Sequence, residues 1–192
     1  MKEIIIIMLS AILVENFVLI RFIGVCPFLG VSTKFETAMG MGGAVIFVIT
    51  LSSIFSWVAN EYLLKPFGLE FLQLMVFILI IGAFVQLVES FLKKKVPPLY
   101  KALGIYLPLI STNCAVLGVC LLNMDYGYNL LNSTIFGIGA SVGFTFALVL
   151  FSGVRERMSN CDIPESLKGL GSAMIAAGLV SMAFFGFQGL FK

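Results

Sequence analysis

Six runs of apolar sequence, joined by short polar connections, decide the class of this chain. They cover residues 4–25, 37–59, 69–92, 99–122, 130–153 and 167–190. Each is close to the roughly 20 residues that a helix needs to cross a hydrocarbon core. Charged residues make up 11% of the chain, against about 25% in soluble domains, so the runs cannot all be interior helices of a water-soluble fold. They lack the two-residue alternation of strands, and an open sheet leaves backbone groups unsatisfied in lipid. The expectation is an all-α integral membrane protein with six transmembrane helices. The N-terminus reads as a retained first span, because Glu3 and Glu15 interrupt the pattern of a cleavable signal.

Basic residues are distributed unequally between the two ends of these spans. Lys2, Lys65 and Lys192 fall on the N-terminal side. Lys34, Lys93, Lys94, Lys95, Lys101, Arg155, Arg157 and Lys168 fall on the other. The positive-inside rule then places both termini outside the cytoplasmic (inner) membrane. Arg21, near the end of the first span, is expected to snorkel to the basic side.

The Lys-Lys-Lys-Val-Pro-Pro stretch at 93–98 divides the single membrane domain, 1–192, into pseudo-repeats 1–95 and 96–192. Three spans in each half force the halves to run in opposite directions. Cys26-Pro27-Phe28-Leu29-Gly30-Val31 recurs as Cys114-Ala115-Val116-Leu117-Gly118-Val119. Gly40-Met41-Gly42-Gly43-Ala44-Val45 resembles Gly137-Ile138-Gly139-Ala140-Ser141-Val142. The reading is an inverted 3+3 repeat, a design that places sites on broken helices near the bilayer midplane.

The repeated cysteine motif marks the expected breaks, in the first and fourth helices. Pro27 biases Cys26 away from helical dihedrals. Ser111, Thr112 and Asn113 precede Cys114 and can bond freed backbone groups. A half-helix starting there would aim N–H groups at the sulfurs and suit an anionic metal–sulfur centre. The bland alternative is that both are ordinary cysteines packing as small hydrophobes. Cys120 and Cys161 have no counterpart in the first half. A four-thiolate iron–sulfur centre would need two further ligands from a second, inverted chain.

Glu15 and Asn16 lie in mid-span, about 16 Å of helix rise beyond residue 4. A carboxyl at that depth is a candidate Na⁺ or H⁺ ligand by default, the alternative being a hydrogen-bonded packing residue. The glycines at 40, 42, 43, 137, 139 and 143 follow no strand, so they are expected to permit close helix packing rather than to form a nucleotide loop. Arg155-Glu156-Arg157 reads as a solvated connection. Histidine is absent, which removes the usual general base and the usual haem and zinc ligand.

These motifs resemble those of the membrane-protein family shared by Rnf electron-transport complexes and the Na⁺-translocating NADH:quinone reductases. The resemblance rests on Glu15-Asn16-Phe17-Val18-Leu19, the Cys26 and Cys114 motifs, Pro97-Pro98-Leu99-Tyr100, Leu103-Gly104-Ile105-Tyr106-Leu107-Pro108, Arg155-Glu156-Arg157 and Asp162-Ile163-Pro164. It covers nearly the whole chain and lies closer to the Rnf branch. It implies a component, not catalytic alone, of a ferredoxin:NAD⁺ oxidoreductase that couples electron flow to Na⁺ or H⁺ translocation. It also implies a [2Fe–2S] cluster with Cys26 and Cys114 as two of four ligands. The implied partners are an inverted homologous sister chain of the E type, RnfE, which completes the cluster, and the B-, C-, D- and G-type chains of the complex. The competing function is a secondary ion transporter or channel with Glu15 at its ion site.

Overall fold

A computed structural model describes residues 8, 18–32, 35–68, 70–95, 110, 113–161, 164 and 169–188. Every regular element among these is helical. The main α-helices, in chain order, are α1 (Val25–Val31), α2 (Phe35–Ala59), α3 (Gln73–Lys95, entered through a 3-10 turn at Glu70–Leu72), α4 (Cys114–Asp125), α5 (Leu130–Ser159) and α6 (Leu170–Gln188). The helical path of α2 continues through a π-helical stretch, Asn60–Leu64, and a closing turn, Lys65–Phe67. Gly68, at φ 62°, ends it and donates its N–H to the Lys65 carbonyl.

Phe35–Leu64 and Leu130–Ser159, 30 residues each, are long and apolar enough to cross a membrane. Gln73–Leu87, Cys114–Asp125 and Leu170–Gly186 are shorter apolar helices. Large apolar side chains also face outward: Phe71 is 95% exposed, Met182 74% and Leu79 71%. Such a surface is unstable against water and fits lipid or partner chains.

α2 and α5 form the centre. Gly42 lies against Thr145, and Gly137 lies against Ser53 and the Ile49 carbonyl, so the two helices run antiparallel. Thr145 Oγ1 donates to the Ser141 carbonyl at 2.9 Å and lies 3.4 Å from the Gly42 carbonyl. The expected role of the glycines as close-packing positions therefore holds at Gly42 and Gly137. It does not hold at Gly43, beside which there is open space. α4 lies along α2, and its buried face carries Ala115, Val116, Val119, Cys120 and Asn123.

The first apolar run departs from its expected form. Residues 18–24 are not helical, and a helix begins at Val25. The break is made by Phe22 (φ 54°) and Gly24 (φ 89°), not by Pro27. Pro27 sits in the first turn of α1, where its missing N–H would have no intrahelical partner. Cys26 is itself helical. Leu19, in the turn region, is buried and accepts a hydrogen bond from Ser181 of α6, which ties the last helix to the break.

Two cationic side chains also sit differently from their sequence reading. Arg21 reaches the Tyr126 hydroxyl at 3.3 Å, toward the α4–α5 turn and away from the basic end, because the chain turns before α1 begins. Arg155 is part of α5, not of a solvated connection. It donates from Nη1 to the Leu29 carbonyl and to Ser32 Oγ (3.1 Å for the latter). A guanidinium thus satisfies the C-terminal end of α1, where helix carbonyls are orphaned and the dipole is negative. Phe28 of α1 stacks on Phe151, one turn earlier in α5, with ring centroids 4.4 Å apart.

Arg155→Met keeps much of the side-chain bulk and removes these bonds. Charged hydrogen bonds of this kind contribute about 1.5–3 kcal/mol. We expect a lower melting temperature for the purified protein and faster maleimide labelling of Cys26 as α1 loosens. Unchanged melting and labelling would show that Phe28 packing alone holds the helix.

Candidate functional site

The two cysteine motifs each open a helix. Cys26 is the second residue of α1 and Cys114 the first of α4. Asn113, just before α4, is extended (φ −72°, ψ 112°), and its Oδ1 accepts from the Ala115 N–H at 3.0 Å. This is a side-chain N-cap, which satisfies one of the four free donors at the helix start. The sequence expectation that Asn113 bonds freed backbone is met. Ser111, Thr112 and Pro108 lie outside the described residues.

The two starts meet. A Cβ on Gly24 would lie 2.8 Å from Ala115 Cβ, 3.2 Å from Asn113 Oδ1 and 3.2 Å from a Phe144 ring carbon. One on Gly118 would lie 3.0 Å from Ile23. Residues just before Cys26 therefore pack on residues just after Cys114, with Phe144 of α5 beneath. Gly24 is the residue whose importance the motif spacing does not reveal. Two signals in the sequence point to it: a glycine two residues before the first cysteine, and small residues (Ala115, Gly118) at matching places after the second.

Both thiols are exposed at this junction. They are not the buried packing cysteines of the bland reading. Cys120 is that kind of residue: it is fully buried, on the buried face of α4. Cys161 is exposed just beyond the end of α5, its thiol 3.5 Å from the Arg157 carbonyl. Cys120 and Cys161 thus lie apart from the junction that Cys26 and Cys114 share.

That dispersion corrects the cofactor expectation. Among the described residues, no group of three or more His, Cys, Asp or Glu side chains comes together to hold a metal ion. A [2Fe–2S] centre ligated by this chain is not supported. The repeat supplies two outward thiols, while Cys120 is buried in α4 and Cys161 lies beyond the end of α5. Glu15 and Asn16, the candidate ion ligands, lie outside the described residues.

The chain matches the family described as "Rnf-Nqr subunit, membrane protein" over residues 4–191. Among curated relatives it is 55% identical over 190 residues to a protein of Hahella chejuensis, covering 99% of this chain and 98% of the relative. It is 54% identical to one from Thioalkalivibrio sulfidiphilus and 53% identical to one from Shewanella oneidensis, each over 192 residues and the full length of both chains. All three relatives are named as the A-type subunit of an ion-translocating oxidoreductase complex. Full-length identity of this order, an all-helical apolar architecture and the paired motif helices leave one assignment: this chain belongs to the Rnf-Nqr family of membrane subunits.

Proposed function

We propose that this chain is the A-type membrane subunit of an ion-translocating ferredoxin:NAD⁺ oxidoreductase. It is not catalytic alone and works with an inverted homologous chain of the E type and with the B-, C-, D- and G-type chains. Redox energy from electron transfer drives Na⁺ or H⁺ across the cytoplasmic membrane. The observation that carries this reading is the junction at which Gly24 meets Asn113 and Ala115, because it brings both cysteine-bearing helix starts to one place. Cys26 and Cys114 present their thiols outward there, to the neighbouring chains of the complex. They are the residues through which this chain engages the electron path.

The proposed architecture is six spans in an inverted 3+3 repeat, with the two breaks near the midplane and both termini outside. The order short helix, long helix, apolar helix occurs twice, as α1–α2–α3 and α4–α5–α6, and supports it. So does the antiparallel pairing of α2 and α5, the second member of each set. Arg155 reaching Leu29 and Ser32 sets the end of α5 and the end of α1 at one side, in keeping with the charge asymmetry.

The test is ferredoxin-driven NAD⁺ reduction in membranes carrying Cys26→Ser, Cys114→Ser or both. The expected result is a loss of about tenfold or more, a barrier rise of about 1.4 kcal/mol, with normal amounts of assembled complex. Activity within about twofold of the parent would remove both thiols from the electron path.

A further inference from the structure

Most hydroxyls within these helices bond their own backbone. Thr50, Ser56, Thr134, Ser141, Thr145 and Ser152 each donate to a carbonyl three or four residues earlier. Ser52 and Ser133 do not. Each is 1% exposed, and neither hydroxyl has a hydrogen-bond partner among the described residues. Asn123 is fully buried. Its Nδ2 donates to Ser53 Oγ at 3.4 Å, and its Oδ1 has no partner among the described residues.

Asn123 and Ser133 share one region between α2, α4 and α5. Asn123 joins α4 to α2 through Ser53. Gly137 of α5 lies opposite Ser53, a Cβ there falling 2.6 Å from Ser53 Oγ. Ser133 is one turn before Gly137 on the same face of α5. The antiparallel register carries it one turn beyond Ser53, toward the Trp57 end of α2. Trp57 Nε1 donates to the Tyr128 carbonyl at 2.9 Å and closes the end of the region. A buried polar atom without a partner is costly, and more so in a membrane, where lipid offers no hydrogen bond. Two such atoms, Asn123 Oδ1 and Ser133 Oγ, in one seam point to an occupant.

The described residues of the seam offer hydroxyl and amide oxygens and no carboxylate. Divalent cations are held largely through carboxylates. Neutral oxygens that replace part of a hydration shell suit a monovalent cation that keeps some of its water. That water also meets the hydroxyl protons, which a bare ion cannot. Asn123 lies nine residues beyond Cys114, about 14 Å along α4. The seam is therefore distinct from the thiol junction but joined to it by a single rigid helix.

We propose that Asn123 Oδ1, Ser53 and Ser133 form a passage site for a partly hydrated monovalent cation, the coupling ion of the translocation reaction, with Asn123 as its principal ligand. The proposal rests on the reading of the chain as part of an ion-translocating complex. Two measurements on the intact complex test it. In proteoliposomes, Asn123→Leu and Ser133→Ala should raise the Na⁺ concentration for half-maximal redox-driven uptake by roughly tenfold, while electron transfer with an uncoupler stays near the parent rate. Asn123→Asp, which keeps an oxygen and adds charge, should lower it. In a structure of the complex exchanged into Tl⁺, the ion should appear in contact with Asn123 Oδ1. Unaltered Na⁺ dependence in the three variants, or no Tl⁺ at Asn123, overturns the site. Absence of redox-driven transport in the unsubstituted complex would instead refute the translocation reading, and the Tl⁺ position would then decide the site alone.

Discussion

Gly24→Val is expected to eliminate the assembled, active protein. Two costs add at this position. The backbone sits at φ 89°, where a β-branched residue is an outlier and an L side chain costs about 1–2 kcal/mol. The new Cβ would also lie 2.8 Å from Ala115 Cβ, and its branches would press on Asn113 and Phe144. Overpacking of this kind costs about 1–3 kcal/mol more. The neighbours cannot yield cheaply: Asn113 is engaged in capping α4, and Phe144 is buried in the central helix α5. The loss should be read as depleted complex on native gels and a lower melting temperature of what remains. Gly127→Ala is the control. It also has a positive φ (61°) but open space around it, so only the backbone cost of about 1 kcal/mol applies. If Gly24→Val assembles as well as Gly127→Ala, the junction between the two motif helices is not tight.

Gly42→Leu should separate the central pair. A Cβ on Gly42 would fall on the Thr145 methyl and 3.0 Å from its hydroxyl. Thr145 is restrained by its bond to the Ser141 carbonyl, so α2 and α5 must move apart or tilt. Small residues are what permit such close approach between helices in lipid, where no hydrophobic force compensates for a lost fit. We expect about 3 kcal/mol or more of destabilisation and loss of the Trp57–Tyr128 and Asn123–Ser53 contacts, which join α2 to the α4–α5 turn and to α4. Gly43→Leu, one residue away, should change stability by less than about 0.5 kcal/mol, since nothing faces it. Equal behaviour of the two variants would mean that the α2–α5 contact is not the core of the fold.

That contrast shows where sequence reading reaches its limit. Gly42 and Gly43 are indistinguishable as members of a glycine motif, and only the rotational setting of α2 against α5 separates them. The spans at 37–59 and 130–153 are legible, since they become Phe35–Ala59 and Leu130–Ser159. The starts of α3 and α6 are legible to within a few residues. The break in the first apolar run is expected at the proline but lies before it, because a first-turn proline is compatible with a helix while Gly24 and Phe22 carry the positive φ. Arg155 looks solvated because its local sequence is charged. Its partners, Leu29 and Ser32, are more than 120 residues distant in the chain. The metal expectation fails for a related reason. Repetition identifies equivalent cysteines, but ligation needs several donors to converge at one point.

Apolar length and the short polar connections are enough to determine a helical membrane protein, because a bilayer admits few structures and their lengths are set by its thickness, while the quoted motifs carry the likeness to the family. The tertiary structure alone decides which glycines touch, which cysteines face outward, what holds α1 in place and where buried oxygens lack partners. Those properties depend on distances between residues far apart in sequence, and a side chain's environment is fixed only once whole helices have been docked at a given rotation and register.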